Sequence, residues 1–309
     1  MNSARRLSWL AASVAVVGIL AFGVVLPGCS SSTTTGTTAT TQTATTQTES
    51  TGQQTDKTTV TQPTDPPTDL PTDPPVGPTA APAVSTFAPA ADLVAQVADC
   101  LDDLKDDVGV ETEEEFKESQ ESIVRDANAL AVLALALGLH DEDNQHKAAA
   151  ADLIKAAQDL AAASDLAAAK AALAAVETAA AASEGTDGEL KWEKVATLLE
   201  VHNKAQAVTT SMKNRLDPRN FEKKADDLAA FSAFMAVVGQ ASMAHVDEAE
   251  DAEQLTQWLD FCTEMRDVAA AVNKATHAGD RDAAVAANEK LLQNCHDCHE
   301  IFNPDDPDE

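Results

Sequence analysis

From about Ala91 to the C-terminus, apolar residues recur every three or four positions, and that period admits little but α-helix. The pattern falls into eight segments, and breakers at Gly109, Gly138, Ser164-Asp165, Gly185 to Gly188, Asp217-Pro218 and Gly279-Asp280 mark six of their seven boundaries. The expected helices cover roughly 91–107, 113–139, 145–163, 166–183, 189–214, 219–244, 252–276 and 281–302. Composition agrees. Tyr is absent, aromatics are 4% of the chain and alanine is abundant, so strand formers are scarce. Apolar stripes run along Val195, Leu199, His202 and Met212, along Phe221, Ala225, Leu228, Met235 and Val238, and along Leu255, Trp258, Leu259 and Cys262. Short connections between such helices favour antiparallel neighbours, so the expected fold class is all-α and built from four-helix bundles.

The eight segments read as a duplicated set of four. Phe116 and Phe221 are 105 positions apart, as are His140 and His245, and both pairs bracket a long second helix. Asp159 to Ala163 is echoed at Asp267 to Ala271 in a shifted register. The expected domains are therefore 91–186 and 189–303. Ahead of them, residues 29–90 are rich in Thr, Gln and Ser and then in Pro and Asp. Such a stretch buries too little apolar area to offset the entropy of ordering, so it is expected to be a disordered tether extended by its prolines.

One motif carries chemistry. Cys295-His296-Asp297-Cys298-His299 is a C-x-x-C-H run, and composition alone gives roughly 0.002 chance matches in a chain like this. On a helix, positions i, i+3 and i+4 share a face. Two thiols there can reach the two vinyl groups on one porphyrin edge, and the histidine can bind iron through an imidazole nitrogen. The expected cofactor is one haem c, bound covalently by Cys295 and Cys298 with His299 as an axial ligand. Phe302 continues the face and can pack on the ring. Two other chemistries use the same residues: a zinc site on Cys295, Cys298 and one of His296 or His299, and a redox dithiol. Zinc usually wants a second ligand pair, and none of matching spacing appears. A redox dithiol usually sits in a βαβ setting, which this helical pattern lacks. In the first set, Ala179 to Ala182 stand where the second has its cysteines, so that set is expected to be free of haem.

Residues 190 to 303 resemble the cytochrome c′ family and its c556-like relatives. The likeness rests on Lys274 to Asp280, on the C-x-x-C-H run through Phe302, and on Asp217-Pro218 at the start of a second helix. It implies an antiparallel four-helix bundle with haem near one end, proximal His299 on the fourth helix and the distal face against the first. The family commonly has a basic residue four positions after the haem histidine; here that position is Asn303. Counting back from Pro218 as the family does puts the distal residue near Leu199, which would leave iron open to a small gas such as NO or CO. His202 lies one turn later on the same stripe and would instead complete a six-coordinate iron suited to electron transfer; a hydrogen-bonded histidine at the bundle surface is its plainer role. Met212 is a further sulfur donor, with core packing as its plainer role. His140 and His245 are expected to meet helix-terminal carbonyls, Cys100 and Cys262 to be small buried residues, and Trp258 to be core.

The N-terminus reads as a leader. Arg5 and Arg6 precede an apolar run from Trp9 to Leu26, and Leu26-Pro27-Gly28-Cys29 resembles a bacterial lipobox. Residues 1–28 would be a signal peptide and Cys29 the lipidated residue; an uncleaved membrane anchor is the alternative. Either way the remainder is expected outside the cytoplasm, as an envelope lipoprotein. Haem c is attached to an exported, unfolded chain, so the general secretory route is expected over the twin-arginine route. The net charge is -30, from 51 acidic and 21 basic residues. That argues against nucleic acid, whose phosphates need surplus Lys and Arg. A basic redox partner protein fits better, with the membrane reached through the lipid anchor and a homodimer left open. The expected function is an electron carrier rather than an enzyme. A gas-binding haem protein and a scaffold stabilised by haem are the competing classes.

Overall fold

The computed structural model describes residues 81–186 and 188–303. The leader, Cys29 and the tether as far as position 80 lie outside the described residues. The fold is all-α: eight helices and, among the described residues, no strand. They are α1 (Ala90–Val108), α2 (Glu113–Leu139), α3 (Ala150–Ala161), α4 (Leu166–Ala181), α5 (Leu198–Arg215), α6 (Ala225–Ser242), α7 (Ala252–His277) and α8 (Arg281–Phe302).

Local chemistry sets several boundaries. Thr112 and Glu115 form a reciprocal capping box that opens α2. Asp165, Asp251 and Asp280 accept backbone N–H bonds at the starts of α4, α7 and α8. Gly279, at φ 69°, ends α7. Its N–H reaches the Thr276 carbonyl while the Asp280 N–H reaches back to Ala275, a turn that a side chain at 279 would strain.

Within each set of four, successive helices pack on one another, α1 to α4 and then α5 to α8. In the first set α4 also returns to α1, closing the ring. The Ala-rich sequence of α4 lets that neighbour come close. In the second set α5 and α8 scarcely touch. The two sets meet through their first two helices: α1 packs on α6, α2 on α5, and α2 on α6. That pattern is symmetric under exchange of the sets. One apolar cluster runs through both, and its centre is α2 and α6, buried nearly all round from Ala127 to Leu137 and from Leu228 to Ser242. Of the described helices, α2 alone is long and apolar enough to cross a membrane, and most of its apolar stretch is buried here.

Four boundaries differ from expectation. The fifth helix begins at Leu198, not near 189. Residues 189–197 form a strap held by the first set: Gln158 donates to the Val195 carbonyl at 2.8 Å, and the Thr197 N–H donates to Asn128 at 2.8 Å. Those tertiary bonds outweigh a helical pattern of modest strength. The third helix begins at Ala150 because 145–149 are turns pinned by Asn144, whose side chain accepts from the His146 N–H and donates to the Leu137 carbonyl. A 3-10 turn, Phe221–Lys224, precedes α6. Packed structure also begins before position 90, at residues expected to be disordered. Val84, Phe87 and Ala88 are buried, and Ser85 donates to Asp141 through both its N–H and its hydroxyl.

The residues that suggested duplication occupy matching places. Phe116, in the first turn of α2, and Phe221, in the 3-10 turn that leads into α6, are both buried. His140 and His245 both lie just beyond its end. His140 meets the Ala88 carbonyl through Nε2 and accepts the Glu142 N–H at Nδ1.

Candidate functional site

The gap between α5 and α8 is a cavity of about 390 Å³. Helix α8 supplies one wall. It is continuous from Arg281 to Phe302, so Cys295, Cys298 and His299 stand at i, i+3 and i+4 as the spacing requires, and all three line the cavity, half-buried. Helix α5 supplies the facing wall with His202, Ala205 and Thr209. The floor comes from Met235 and Ser242 of α6 and from Trp258, Phe261, Cys262 and Met265 of α7.

His202 and His299 look at each other across this space. Their ring centres are 6.2 Å apart and their planes differ by 26°. His202 Nε2 lies 3.2 Å from the Ser242 hydroxyl. Burial, reinforced by the charges that His299 and His245 would carry, lowers the His202 pKa to about 4. The imidazole is therefore neutral at physiological pH and keeps a lone pair, which is the form that binds a metal. Burial and the neighbouring Cys298 push the Cys262 thiol up, so it remains protonated and behaves as an apolar side chain.

An aromatic group closes the end of the cavity. Trp258 donates its indole N–H to the Ser242 carbonyl at 3.1 Å, which fixes the ring. Phe302 packs edge-on against it at 5.2 Å, and Phe261 meets Phe302 at 6.4 Å. A smaller adjoining cavity of about 230 Å³ shares His202, Cys298 and His299 and opens towards Leu198, Glu248 and Asn303.

The sequence singled out Cys295, Cys298, His299, His202 and Trp258, and the structure brings them to one cavity. Leu199, 64% exposed, lines the smaller cavity together with His202, Cys298 and His299. Met212 is fully buried and is not on the cavity wall. The sequence missed Ser242, Phe261, Met235 and Met265. Met265 was within reach of pattern analysis, since it continues the Trp258–Cys262 stripe by one turn. Ser242 carried no local signal.

No family model, curated protein or solved structure matches this chain. Two groups of His, Asp and Glu that could hold an ion occur among the described residues, His245-Asp247-Glu248 and His296-Asp297-Glu300, and neither includes a cysteine.

Proposed function

We propose that this chain is an exported, envelope-anchored c-type cytochrome that holds one covalent haem between α5 and α8 and passes single electrons. The observation that carries the proposal is the 6.2 Å separation of the His202 and His299 rings across a cavity whose wall also bears Cys295 and Cys298. A metal–imidazole bond is about 2 Å and the nitrogen lies about 1 Å from its ring centre, so two rings on one ion have centres roughly 6 Å apart. The cavity falls within the range of cofactor pockets, about 300–1,000 Å³.

On this reading α5 to α8 form an antiparallel four-helix bundle of the cytochrome c′ type, and α1 to α4 form a second bundle without cofactor. Cys295 and Cys298 would hold the porphyrin edge by thioether bonds, and His299 and His202 would supply the axial nitrogens. Bound haem supplies a one-electron iron couple. Ser242 orients His202 through its ring nitrogen, as partners of ligating histidines do. Trp258, Phe261 and Met265 exclude water from the buried side. Leu199 is too exposed to serve as an apolar distal lid, so the electron-carrier reading is preferred to an open, gas-binding iron.

The test is spectroscopic. Protein matured with a haem c assembly system should retain haem stain on a denaturing gel and show low-spin spectra in both oxidation states. His202→Ala should convert it to a high-spin form that binds carbon monoxide rapidly. Absence of covalent haem sinks the proposal. A wild type that is already high-spin removes His202 as a ligand and moves the gas-binding reading ahead.

A further inference from the structure

The described part of this molecule exposes three large apolar side chains: Leu199 at 64%, Val246 at 51% and Ile301 at 45%. Each belongs to an element that borders the smaller cavity. Leu199 lines it, Val246 is two positions before Glu248, which lines it, and Ile301 adjoins Phe302, which lines it. They come from three different elements: the first turn of α5, the 3-10 turn Val246–Glu248, and the last turn of α8. Exposed apolar side chains scattered singly need no explanation, but three on the elements that border one cleft make that end of the molecule the candidate interaction face.

The 3-10 turn that carries Val246 and the start of α7 after it are strongly acidic. Residues 246–253 read Val-Asp-Glu-Ala-Glu-Asp-Ala-Glu, five acidic and no basic, and Glu300 stands beside Ile301. Glu248, Glu250 and Glu300 are exposed. The nearby Lys194 is already engaged by Asp247.

We propose that this face docks a basic, lysine-rich redox protein. Leu199, Val246 and Ile301 form the apolar centre, and Glu248, Glu250 and Glu300 form an acidic rim. The inference rests on the haem reading for its purpose, since this end carries Cys298, His299 and His202. The occupant follows from charge. A second copy of the chain would bring a net -30 to an acidic rim, and like charges across an interface are costly. A partner with lysines around an apolar patch meets both features. The rim then governs the rate of encounter, and the apolar centre governs how long the complex lasts.

The test uses the mature protein and mitochondrial cytochrome c, a lysine-rich redox protein, as the probe. Binding is measured by titration calorimetry at low and high salt, and electron transfer by stopped-flow absorbance. Glu248→Lys with Glu250→Lys should weaken binding at least about tenfold at low salt. Glu114→Lys with Glu118→Lys changes net charge equally at an exposed site on α2 and should weaken it less than about twofold. The triple variant Leu199→Ser, Val246→Ser, Ile301→Ser should raise the dissociation rate and leave the salt dependence intact. Equal losses from the two charge reversals would show that net charge alone matters and would overturn the proposal. So would an unchanged dissociation rate in the triple variant, or a wild-type dimer that the triple variant turns into monomer. Calorimetry does not depend on haem, so binding through this face without covalent haem would sink the haem reading and leave the docking face standing.

Discussion

At the residue scale the informative side chains are histidines held neutral by their surroundings. His202, on the cavity wall, is one. His146 is another: it is 3% exposed at the turn before α3, and burial lowers its pKa. The sign of the consequence follows from proton counting. Near neutral pH both folded and unfolded forms are mostly deprotonated at this site. As pH falls through the unfolded value near 6.5, the unfolded chain takes up a proton that the folded one refuses. Stability therefore falls with acidification over that window. His146→Gln should flatten the dependence of the urea midpoint on pH between about 7 and 5. An unchanged slope in the variant would show that His146 contributes nothing to acid sensitivity. The C-x-x-C-H run was legible at this scale because its geometry is local: one helix turn sets Cys295, Cys298 and His299. With α5 starting at Leu198 rather than near 189, position 199 falls in its first turn, where the Leu199 side chain is 64% exposed.

At the element scale, the approach of α6 to α7 shapes the cavity floor. A Cβ at Gly239 would lie 2.7 Å from the Arg266 nitrogen and 2.9 Å from the Cys262 carbonyl oxygen. Both are backbone atoms of α7, so no side chain can swing aside. Gly239→Ala should force the helices apart and cost about 1–3 kcal/mol, more than the helix propensity of Ala returns. Denaturant unfolding of the purified variant checks this. A variant as stable as wild type would mean that α7 shifts freely. The helical pattern showed that both elements exist and which faces are apolar. It carried no information on how near their backbones come, because that depends on residues 23 and 27 positions away.

At the scale of the whole molecule, the first four helices hold the second four. Lys204 of α5 reaches Asp126 of α2 at 2.8 Å, and Asp126 is 1% exposed. Asn128 of α2 takes the Thr197 N–H at the head of α5. Asp92 of α1 accepts from Asn273 at 2.7 Å and meets His277 at 2.8 Å, both on α7. Cutting the chain before residue 189 would remove the partners of Lys204 and uncover the apolar faces of α5 and α6 that pack on α1 and α2. A fragment of residues 189–303 is therefore expected to lack a cooperative melting transition by circular dichroism and to associate on size exclusion. A monomeric fragment that melts cooperatively would mean that the first four helices are dispensable for folding.

The amino-acid sequence by itself determined the helical class, the eight segments, most of their ends and the face that bears Cys295, Cys298 and His299. Each of these depends on residues within one or two helical turns, where periodicity, caps and breakers act directly. Tertiary structure decided what lies opposite that face. It drew 189–197 into a strap, set the start of α5, turned His202 inward and Leu199 outward, and placed Ser242 and Met265 on the cavity wall. It also closed the first set of helices with α1 against α4 while keeping α5 away from α8. Those outcomes depend on pairs separated by tens of positions, such as Asn128 with Thr197 and His202 with Ser242. Their hydrogen bonds and packing exist only once the chain has folded back on itself, so no local pattern announces them.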